Sequence, residues 1–141
     1  MILYIDTSAL VKRYIDEEGT DEVIAWMNQA DIIGTALVTR AELVATLTRA
    51  TRGNRSLAKD FLESLDEFRG HWSHYQHINI DDALIIRADS LASIYALRGY
   101  DAIHLACALT WQDLLNSPIT LATFDKELHE AAEKSGIQVF P

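Results

Sequence analysis

The sequence predicts a single α/β domain with a central, mostly parallel sheet that is covered by helices on both faces. The main observation is an alternation along the chain, in which short apolar runs typical of strands are separated by longer segments of helical periodicity. The length of 141 residues fits one domain and suffices to bury a sizeable core. No repeat, low-complexity tract or linker divides the chain, so we expect one domain spanning residues 1–141.

The first strand and helix place an acidic residue at a strand end. Residues Ile2–Ile5 form an apolar run that is too short and too rich in β-branched residues for a helix. Asp6-Thr7-Ser8 follows, and we expect it to cap a helical segment that begins near Ala9. In an open parallel sheet, ligands bind in a crevice at the carboxyl ends of the strands. Asp6 is therefore expected to lie where a functional site would form. Asp is also a preferred N-cap residue, so a purely capping role for Asp6 stays open.

Residues 20–80 are predicted to contribute three helices and two further strands. Apolar residues at spacings of three and four predict helices over Thr20–Ala30, from Thr39 to the Gly53-Asn54 pair, and over Ser56–Arg69. Apolar runs within 31–38 and at Tyr75–Ile80 predict the strands. The second and third helices follow each other directly and should form a hairpin.

The C-terminal part is predicted to hold three helices and two strands. The spacing of its apolar residues predicts a helix from Asp81 to Arg98, which Gly99 stops. The next segment, Tyr100–Gln112, is apolar nearly all round, and helices of that composition lie in the interior. The remaining predicted elements are a strand at Ile119–Phe124, a helix at Asp125–Lys134 and a strand at Ile137–Phe140.

The net charge of −9 is opposite to the basic balance typical of proteins that bind nucleic acids through phosphate groups. A local basic patch compensates for it at the tip of the predicted hairpin, where Arg49, Arg52, Arg55 and Lys59 occur with no acidic residue among them. Such a patch either binds an anionic partner or forms a solvated surface, and both interpretations stay open.

Cysteine usage and hydropathy indicate a soluble, cytoplasmic protein. The single cysteine, Cys107, lies in the apolar run AIHLACAL and is most simply a buried side chain in a reducing compartment. No basic residue precedes the N-terminal apolar run, as one would in a signal peptide. No apolar run reaches the roughly 18 residues that a membrane helix needs, so we expect no association with a membrane.

Four acidic residues stand out because each falls at the predicted start of a helix: Asp6, Glu42, Asp101 and Asp125. Asp6 and Asp125 also directly follow a strand. Each has a structural alternative, since Glu42 can complete a capping box with Thr39 and Asp125 can cap its own helix.

Asp101 is harder to explain by helix structure alone. It is the only formally charged residue between Gly99 and Gln112, at the head of a helix that should be largely buried. A buried carboxylate without a partner is costly, so Asp101 needs a cation, which is either Arg98 or a metal ion. His104, one turn later, is interpreted as a satisfied core histidine rather than as a residue that supports a metal ligand.

If the four acids share one crevice, their repulsion favours a bound cation. Two carboxylates roughly 5 Å apart repel by about 3 kcal/mol at an effective dielectric constant of about 20, so a cluster of four either holds protons or binds metal. The positive N-terminal ends of helices oppose protonation. Ligation by carboxylate oxygens, without cysteine or histidine at zinc spacing, favours Mg²⁺ or Mn²⁺.

The four acidic motifs resemble those of the PIN-domain nucleases, and especially the VapC toxins of bacterial toxin–antitoxin pairs. In family order, Asp6 lies in YIDTSALV, Glu42 in TRAELVATL, Asp101 in RGYDAIHLACAL and Asp125 at the end of TFD. The resemblance implies a PIN-like three-layer α/β/α sandwich and Mg²⁺-dependent endoribonuclease activity on an RNA substrate. It also implies frequent homodimers and inhibition by a VapB-type antitoxin.

Carried over by position, the resemblance assigns roles to acids and hydroxyls. Asp6 and Asp101 would be the principal metal ligands, and the other two acids would complete the pocket directly or through water. The positions of Ser8 and Thr123 match those of hydroxyls that orient the acids or the attacking water.

Arg49 and Arg52 are predicted to bind the substrate. Glu42, Thr46 and Arg49 follow one helical face at spacings of four and three, so a phosphate backbone can run from the metal toward both arginines. In the family the same hairpin region often contacts the antitoxin, which is the competing prediction.

Three other functions stay open. A PIN nuclease can act in RNA processing without an antitoxin, and a short antitoxin reading frame upstream would discriminate between the two. A phosphoaspartyl hydrolase is disfavoured, because Asp6-Thr7-Ser8 lacks a second aspartate two residues after the nucleophile. A noncatalytic α/β binding module, whose acids only cap helices, is the third.

Overall fold

The computed structural model describes residues 1–52 and 58–141, and that part of the chain holds five strands and seven α-helices. In chain order they are β1 (Ile2–Ile5), α1 (Thr7–Leu10), α2 (Thr20–Gln29), β2 (Ile32–Ala36), α3 (Thr39–Thr51), α4 (Ala58–His71), β3 (Gln76–Ile78), α5 (Asp82–Tyr95), α6 (Gly99–Leu115), β4 (Thr120–Ala122), α7 (Lys126–Lys134) and β5 (Gln138–Phe140). The turn predicted at Gly53-Asn54 and the helix start predicted at Ser56 lie outside the described residues.

All strand pairings of the sheet are parallel, in the order β3-β2-β1-β4-β5. β1 lies at the centre, where Leu3 is in register with Ile33 of β2 and with Thr120 of β4. The chain builds β2 and β3 on one side of β1 and then crosses over to build β4 and β5 on the other. The carboxyl ends of β1 and β4 therefore flank the point at which the winding reverses, where open α/β sheets bind ligands.

Alternating side chains of β1 divide the core into two halves. Leu3 and Ile5 belong to one apolar cluster and Tyr4 to the other, because neighbouring residues of a strand face opposite sides of the sheet. Helices α1 to α4 cover the Leu3 side, whereas α5 to α7 cover the Tyr4 side. The predicted three-layer α/β/α sandwich with a parallel central sheet is confirmed.

Helix α6 lies in the interior, as its apolar composition predicts. Its buried apolar residues are Ala102, Leu105, Ala106, Cys107, Ala108, Leu109 and Trp111. Across residues 1–52 and 58–141, no helix combines the length and apolar character that crossing a membrane requires.

The boundary between α5 and α6 differs from the prediction. Helix α5 ends at Tyr95, with Ala96 in the left-handed conformation at its C-cap (φ 53°), instead of continuing to Arg98. Gly99, the predicted stop, is the first residue of α6. Glycine is the usual residue just after a helix, so the presence of Gly99 predicted the end of α5 at the wrong residue. As a consequence, Arg98 is the N-cap residue of α6, and its side chain lies beside Asp101.

Gly34 lies in β2 where Trp111 of α6 packs directly against the strand. A Cβ atom on Gly34 would lie 2.6 Å from two ring atoms of Trp111, a residue that is only 5% exposed. Because the buried ring has little room to move, we expect Gly34→Ala to lower the free energy of unfolding by about 1–3 kcal/mol.

Chemical denaturation measures this loss. Gly70→Ala is the matched control, because a Cβ atom on Gly70 of α4 would meet no atom within 4 Å. Equal free energies of unfolding for the two variants would contradict the prediction.

Candidate active site

A cavity of about 300 Å³ opens at the carboxyl ends of β1 and β4. Its wall contains all four acids singled out in the sequence, together with hydroxyl groups and one histidine. The lining residues are Asp6, Thr7, Ser8, Val11, Glu42, Thr46, Asp101, His104 and Asp125. Acids from both ends of the chain thus share one cavity.

Asp6 directly follows β1 and caps α1, which begins at Thr7 rather than near Ala9 as predicted. Asp6 Oδ1 accepts a hydrogen bond of 2.9 Å from the backbone N–H of Ala9. Ser8 Oγ donates to the same oxygen at 2.8 Å, and Thr123 Oγ1 donates to Asp6 Oδ2 at 2.7 Å. The capping role considered from the sequence is therefore present, and both predicted hydroxyls contact the carboxylate.

Burial makes the charge of Asp6 unfavourable. The residue is 3% exposed, and this desolvation raises the pKa of Asp6 above 3.8. His104 and the hydrogen bonds from Thr123, Ala9 and Ser8 lower the pKa but only in part. A divalent cation beside the carboxylate would offset the remaining cost.

Ser8 and Thr123 connect Asp6 to the segment that follows β4. The backbone N–H of Phe124 donates to Ser8 Oγ at 2.9 Å, and that of Asp125 donates to Thr123 Oγ1 at 3.0 Å. Each hydroxyl accepts from the β4–α7 connection and donates to Asp6. These hydrogen bonds fix the position of Asp6, which follows β1, relative to Asp125, which follows β4.

Glu42, in the first turn of α3, is oriented by two polar partners at its Oε1. Thr7 Oγ1 donates to this oxygen at 2.9 Å, and His104 Nε2 lies 2.9 Å from it. The alternative capping box is not formed, because Val38 and not Thr39 is the N-cap residue of α3. Glu42 is therefore directed toward the cavity and away from its own helix terminus.

His104 links Glu42 to the core. It is 2% exposed, and its Nδ1 lies 2.8 Å from the hydroxyl oxygen of Tyr4. Burial lowers the pKa of His104, but the hydrogen bond to Glu42 and the carboxylates of Asp6 and Asp101 more than compensate, so that the pKa is raised. The sequence interpretation as a satisfied core histidine missed the contact with Glu42. The available signal was its position one turn after Asp101.

Asp101 and Asp125 share one cationic partner. Arg98 Nε donates to Asp101 Oδ2 at 3.3 Å, and Arg98 Nη2 donates to Asp125 Oδ2 at 3.0 Å. Asp125 also caps α7, because its Oδ1 accepts a bond of 2.9 Å from the Leu128 N–H. Desolvation and the charge of Asp125 raise the pKa of Asp101, although Arg98 lowers it. The pairing with Arg98 is present, but it does not remove the cost of the Asp101 charge.

Asp101 and Asp125 also form a compact oxygen cluster with Glu127. One carboxylate oxygen from each of the three lies within 4.8 Å of the others. Glu127 was not predicted from the sequence, because it lies in the first turn of α7, where acids are common since helix N-termini favour negative charge. This all-oxygen donor set suits a hard divalent cation such as Mg²⁺ or Mn²⁺. Asp6 and Glu42 line the cavity with Asp101 and Asp125 but are not members of this three-residue cluster.

The two arginines predicted to bind the substrate lie beyond the cavity wall. Arg49 is in the last turn of α3 and Arg52 directly follows the helix, and both are exposed. Thr46, between Glu42 and Arg49 on the helix, lines the cavity. The other members of the predicted basic patch, Arg55 and the side chain of Lys59, lie outside the described residues.

Comparison with known proteins identifies the family of this chain. The family model of the PIN domain matches residues 3–134. The chain belongs to the PIN domain family. The resemblance to VapC-type PIN-domain nucleases, drawn from the four acidic motifs, is confirmed.

Known relatives of this PIN domain match it over nearly its whole length. Ribonuclease VapC45 of Mycobacterium tuberculosis is 28% identical over 140 residues, which cover 99% of this chain and 95% of the relative. The crystal structure of FitAcB from Neisseria gonorrhoeae has a TM-score of 0.67 at 19% identity, covering 100% of this chain and 97% of that chain. A toxin–antitoxin complex from Klebsiella pneumoniae has a TM-score of 0.60 at 18% identity, covering 84% and 83%. Both structures share the fold of this PIN domain.

Proposed function

We propose that this PIN domain is a divalent-metal-dependent endoribonuclease that hydrolyses phosphodiester bonds of RNA. The observation that carries the proposal is the cavity at the ends of β1 and β4, where Asp6, Glu42, Asp101 and Asp125 converge. Membership of the PIN family and the relation to Ribonuclease VapC45 support it. An acidic cavity repels a polyanion, so a bridging cation is needed for RNA to enter.

We assign the metal ion, Mg²⁺ or Mn²⁺, to Asp6 and Asp101, with Glu42 and Asp125 completing the site directly or through water. The two hydroxyls that contact Asp6 keep its oxygens oriented toward the cavity. Thr7 and His104 likewise orient Oε1 of Glu42. When bound, the ion eases ionisation of the attacking water and offsets negative charge on the phosphodiester.

The test is incubation of the purified chain with labelled oligoribonucleotides in Mg²⁺ or in EDTA. We expect cleavage in Mg²⁺, none in EDTA, and recovery when Mn²⁺ is added in excess of the chelator. Cleavage at the same rate in EDTA would overturn the proposal, because the acids would then act without a cation.

We further propose that the RNA backbone runs from the cavity along α3 to Arg49 and Arg52. Replacing both arginines by alanine should weaken RNA binding about tenfold at low salt and reduce the slope of log affinity against log salt by about 2, because two phosphate contacts are lost. Fluorescence anisotropy over a salt series measures both quantities. Arg69→Ala, which removes an exposed charge from α4, is the control. Unchanged affinity and slope in the double variant would exclude the patch from RNA binding.

We also propose that this ribonuclease is the toxin of a toxin–antitoxin pair and binds a VapB-type antitoxin. Its likeness to a chain of a toxin–antitoxin complex and its VapC relative support this assignment. An apolar groove of about 410 Å³ beside α3 and α4, lined in part by Ile15, Leu47 and Phe61, offers a surface for an antitoxin segment.

A short reading frame upstream should encode a product that co-purifies with the chain and blocks RNA cleavage. Absence of such a product would make the chain a PIN nuclease of RNA processing. If the Arg49 and Arg52 double variant loses antitoxin binding and keeps RNA binding, the patch belongs to the antitoxin interface.

We also propose that this PIN domain forms a homodimer and is located in the cytoplasm. Exposed apolar side chains on α5, Ile86 and Ile94, support self-association, which light scattering of the purified chain would measure. The buried free thiol of Cys107 fits a reducing compartment.

A further inference from the structure

Arg98 is the one lysine or arginine, among the described side chains of residues 1–52 and 60–141, that pairs with an acid of the cavity. Its side chain is 73% exposed, whereas those of its partners Asp101 and Asp125 are 16% and 21% exposed. The guanidinium therefore lies at the rim of the acidic cavity. Two of its N–H groups are used by the carboxylates, and its remaining donors are accessible to a ligand.

The two carboxylates that hold Arg98 also belong to a cluster that could hold a metal ion. Asp101 Oδ2 and Asp125 Oδ2 accept from the guanidinium, and carboxylate oxygens of the same two residues cluster with Glu127. A guanidinium and a divalent cation therefore compete for the same carboxylates. Because a divalent ion carries twice the charge of a guanidinium, Asp101 and Asp125 would hold the ion in preference to Arg98, and the guanidinium would then be free to turn outward.

We propose that Arg98 is a substrate-binding residue, which leaves Asp101 and Asp125 when a divalent cation occupies the acids and then binds a phosphate of the RNA backbone. This inference rests on the proposed ribonuclease function. The backbone of Arg98 at the N-cap of α6 keeps the side chain beside the cavity after the exchange. A guanidinium can donate two parallel hydrogen bonds to one phosphate, which a lysine ammonium cannot match.

The test compares RNA binding with and without a divalent ion. Affinity for an oligoribonucleotide is measured by fluorescence anisotropy in EDTA and in Ca²⁺, after a gel has shown that the RNA stays intact in Ca²⁺. The variants are Arg98→Ala and Arg98→Lys. Arg87→Ala is the matched control, because Arg87 pairs with Asp113 toward the other end of α6 at 2.7 Å.

In EDTA we expect Arg98→Ala to bind RNA as the wild type does, because the acids of the cavity repel the phosphates when no cation is bound and the arginine stays paired with Asp101 and Asp125. In Ca²⁺ the wild type should bind about tenfold more tightly than Arg98→Ala, with Arg98→Lys in between. A side chain with only a structural role would not give an effect that depends on the ion. Arg87→Ala should follow the wild type in both conditions.

A second readout needs no RNA. Calorimetric titration with Mn²⁺ should show that Arg98→Ala binds the ion about fivefold more tightly than the wild type, because the competing guanidinium is gone. Circular dichroism establishes that each variant is folded, which the exposure of the Arg98 side chain leads us to expect. A weaker Mn²⁺ affinity of Arg98→Ala would overturn the proposed competition.

Equal RNA affinities of the wild type and Arg98→Ala in Ca²⁺ would overturn the inference. Arg98 would then be only a counter-ion of the metal-free cavity, even if Mn²⁺ bound the variant more tightly. Mg²⁺-dependent cleavage by the wild type would leave the proposed function standing in that case. If the wild type neither bound nor cleaved RNA, the proposed function would fail, and the role of Arg98 with it.

Discussion

The substitution Asp6→Asn is expected to lower kcat for RNA cleavage by about a thousandfold while the protein stays folded. Asp6 is one of the two acids to which we assign the metal ion, and its carboxylate is the most buried of the four in the cavity. An amide has nearly the same shape but carries no charge. The variant should therefore hold the cation much more weakly.

The same substitution should leave the free energy of unfolding unchanged or raise it. The amide oxygen of Asn can still accept from the Ala9 N–H, which keeps the cap of α1. Because desolvation raises the pKa of Asp6, the native metal-free protein carries an unfavourable charge that the variant removes. Thermal denaturation in EDTA measures this effect separately from activity.

Asp81→Asn provides the matched control for the cleavage assay. Asp81 caps α5 by accepting from the Leu84 N–H at 2.8 Å, as Asp6 caps α1, but it does not line the cavity. We expect Asp81→Asn to cleave RNA at the wild-type rate. If Asp6→Asn also cleaved RNA at the wild-type rate, the assignment of the metal ion to Asp6 would be wrong, and Asp6 would be a helix cap only.

A divalent cation is expected to stabilise the wild-type protein at neutral pH, with a rise in Tm of about 5–10 °C. An ion that binds only the native state adds about 2.7 kcal/mol at a concentration one hundred times its Kd, which corresponds to a shift of that size for a chain of this length. Differential scanning fluorimetry with Mg²⁺, Mn²⁺ or EDTA measures it. The double variant Asp6→Asn with Asp101→Asn should lose most of the shift.

Without the cation, the contribution of Asp6, Asp101 and His104 to the free energy of unfolding should fall as the pH rises. The pKa values of Asp6 and Asp101 are raised above 3.8, mainly by burial, so their contribution is full below pH 3.8 and is lost as the pH rises through the raised values. The pKa of His104 is also raised, because the hydrogen bond to Glu42 and nearby carboxylates outweigh burial. The contribution of His104 is therefore full below pH 6.5 and is lost as the pH rises through its raised pKa.

The Tm in EDTA is measured from pH 4 to neutrality for the wild type and for Asp6→Asn. The difference between the two pH profiles is the contribution of Asp6 to stability. The wild type should lose more stability than the variant on going from pH 4 toward neutrality, because only the wild type has a buried carboxyl group to ionise at that position. Parallel pH profiles would contradict this account, as would a Tm of the wild type that divalent ions leave unchanged.

Several features of the fold could be predicted because they are local. The run Ile2–Ile5 forms β1 over the residues expected, and the apolar segment after Gly99 forms the interior helix α6. Predicted ends of elements were less accurate, since α5 ends at Tyr95 and not at Arg98. Apolar spacing records which face of an element is buried, but its last residue depends on the backbone conformation that packing selects.

The sequence by itself determined the parallel α/β architecture and the four acids of the cavity, because periodicity and position at a strand or helix end are written in neighbouring residues. Only the tertiary structure decided which side chains surround those acids. Arg98 meets Asp125 across 27 positions and His104 meets Glu42 across 62, and Glu127 joins Asp101 where α6 and α7 approach. Such contacts depend on how separate helices pack on one sheet. No local sequence pattern encodes the distances between those helices.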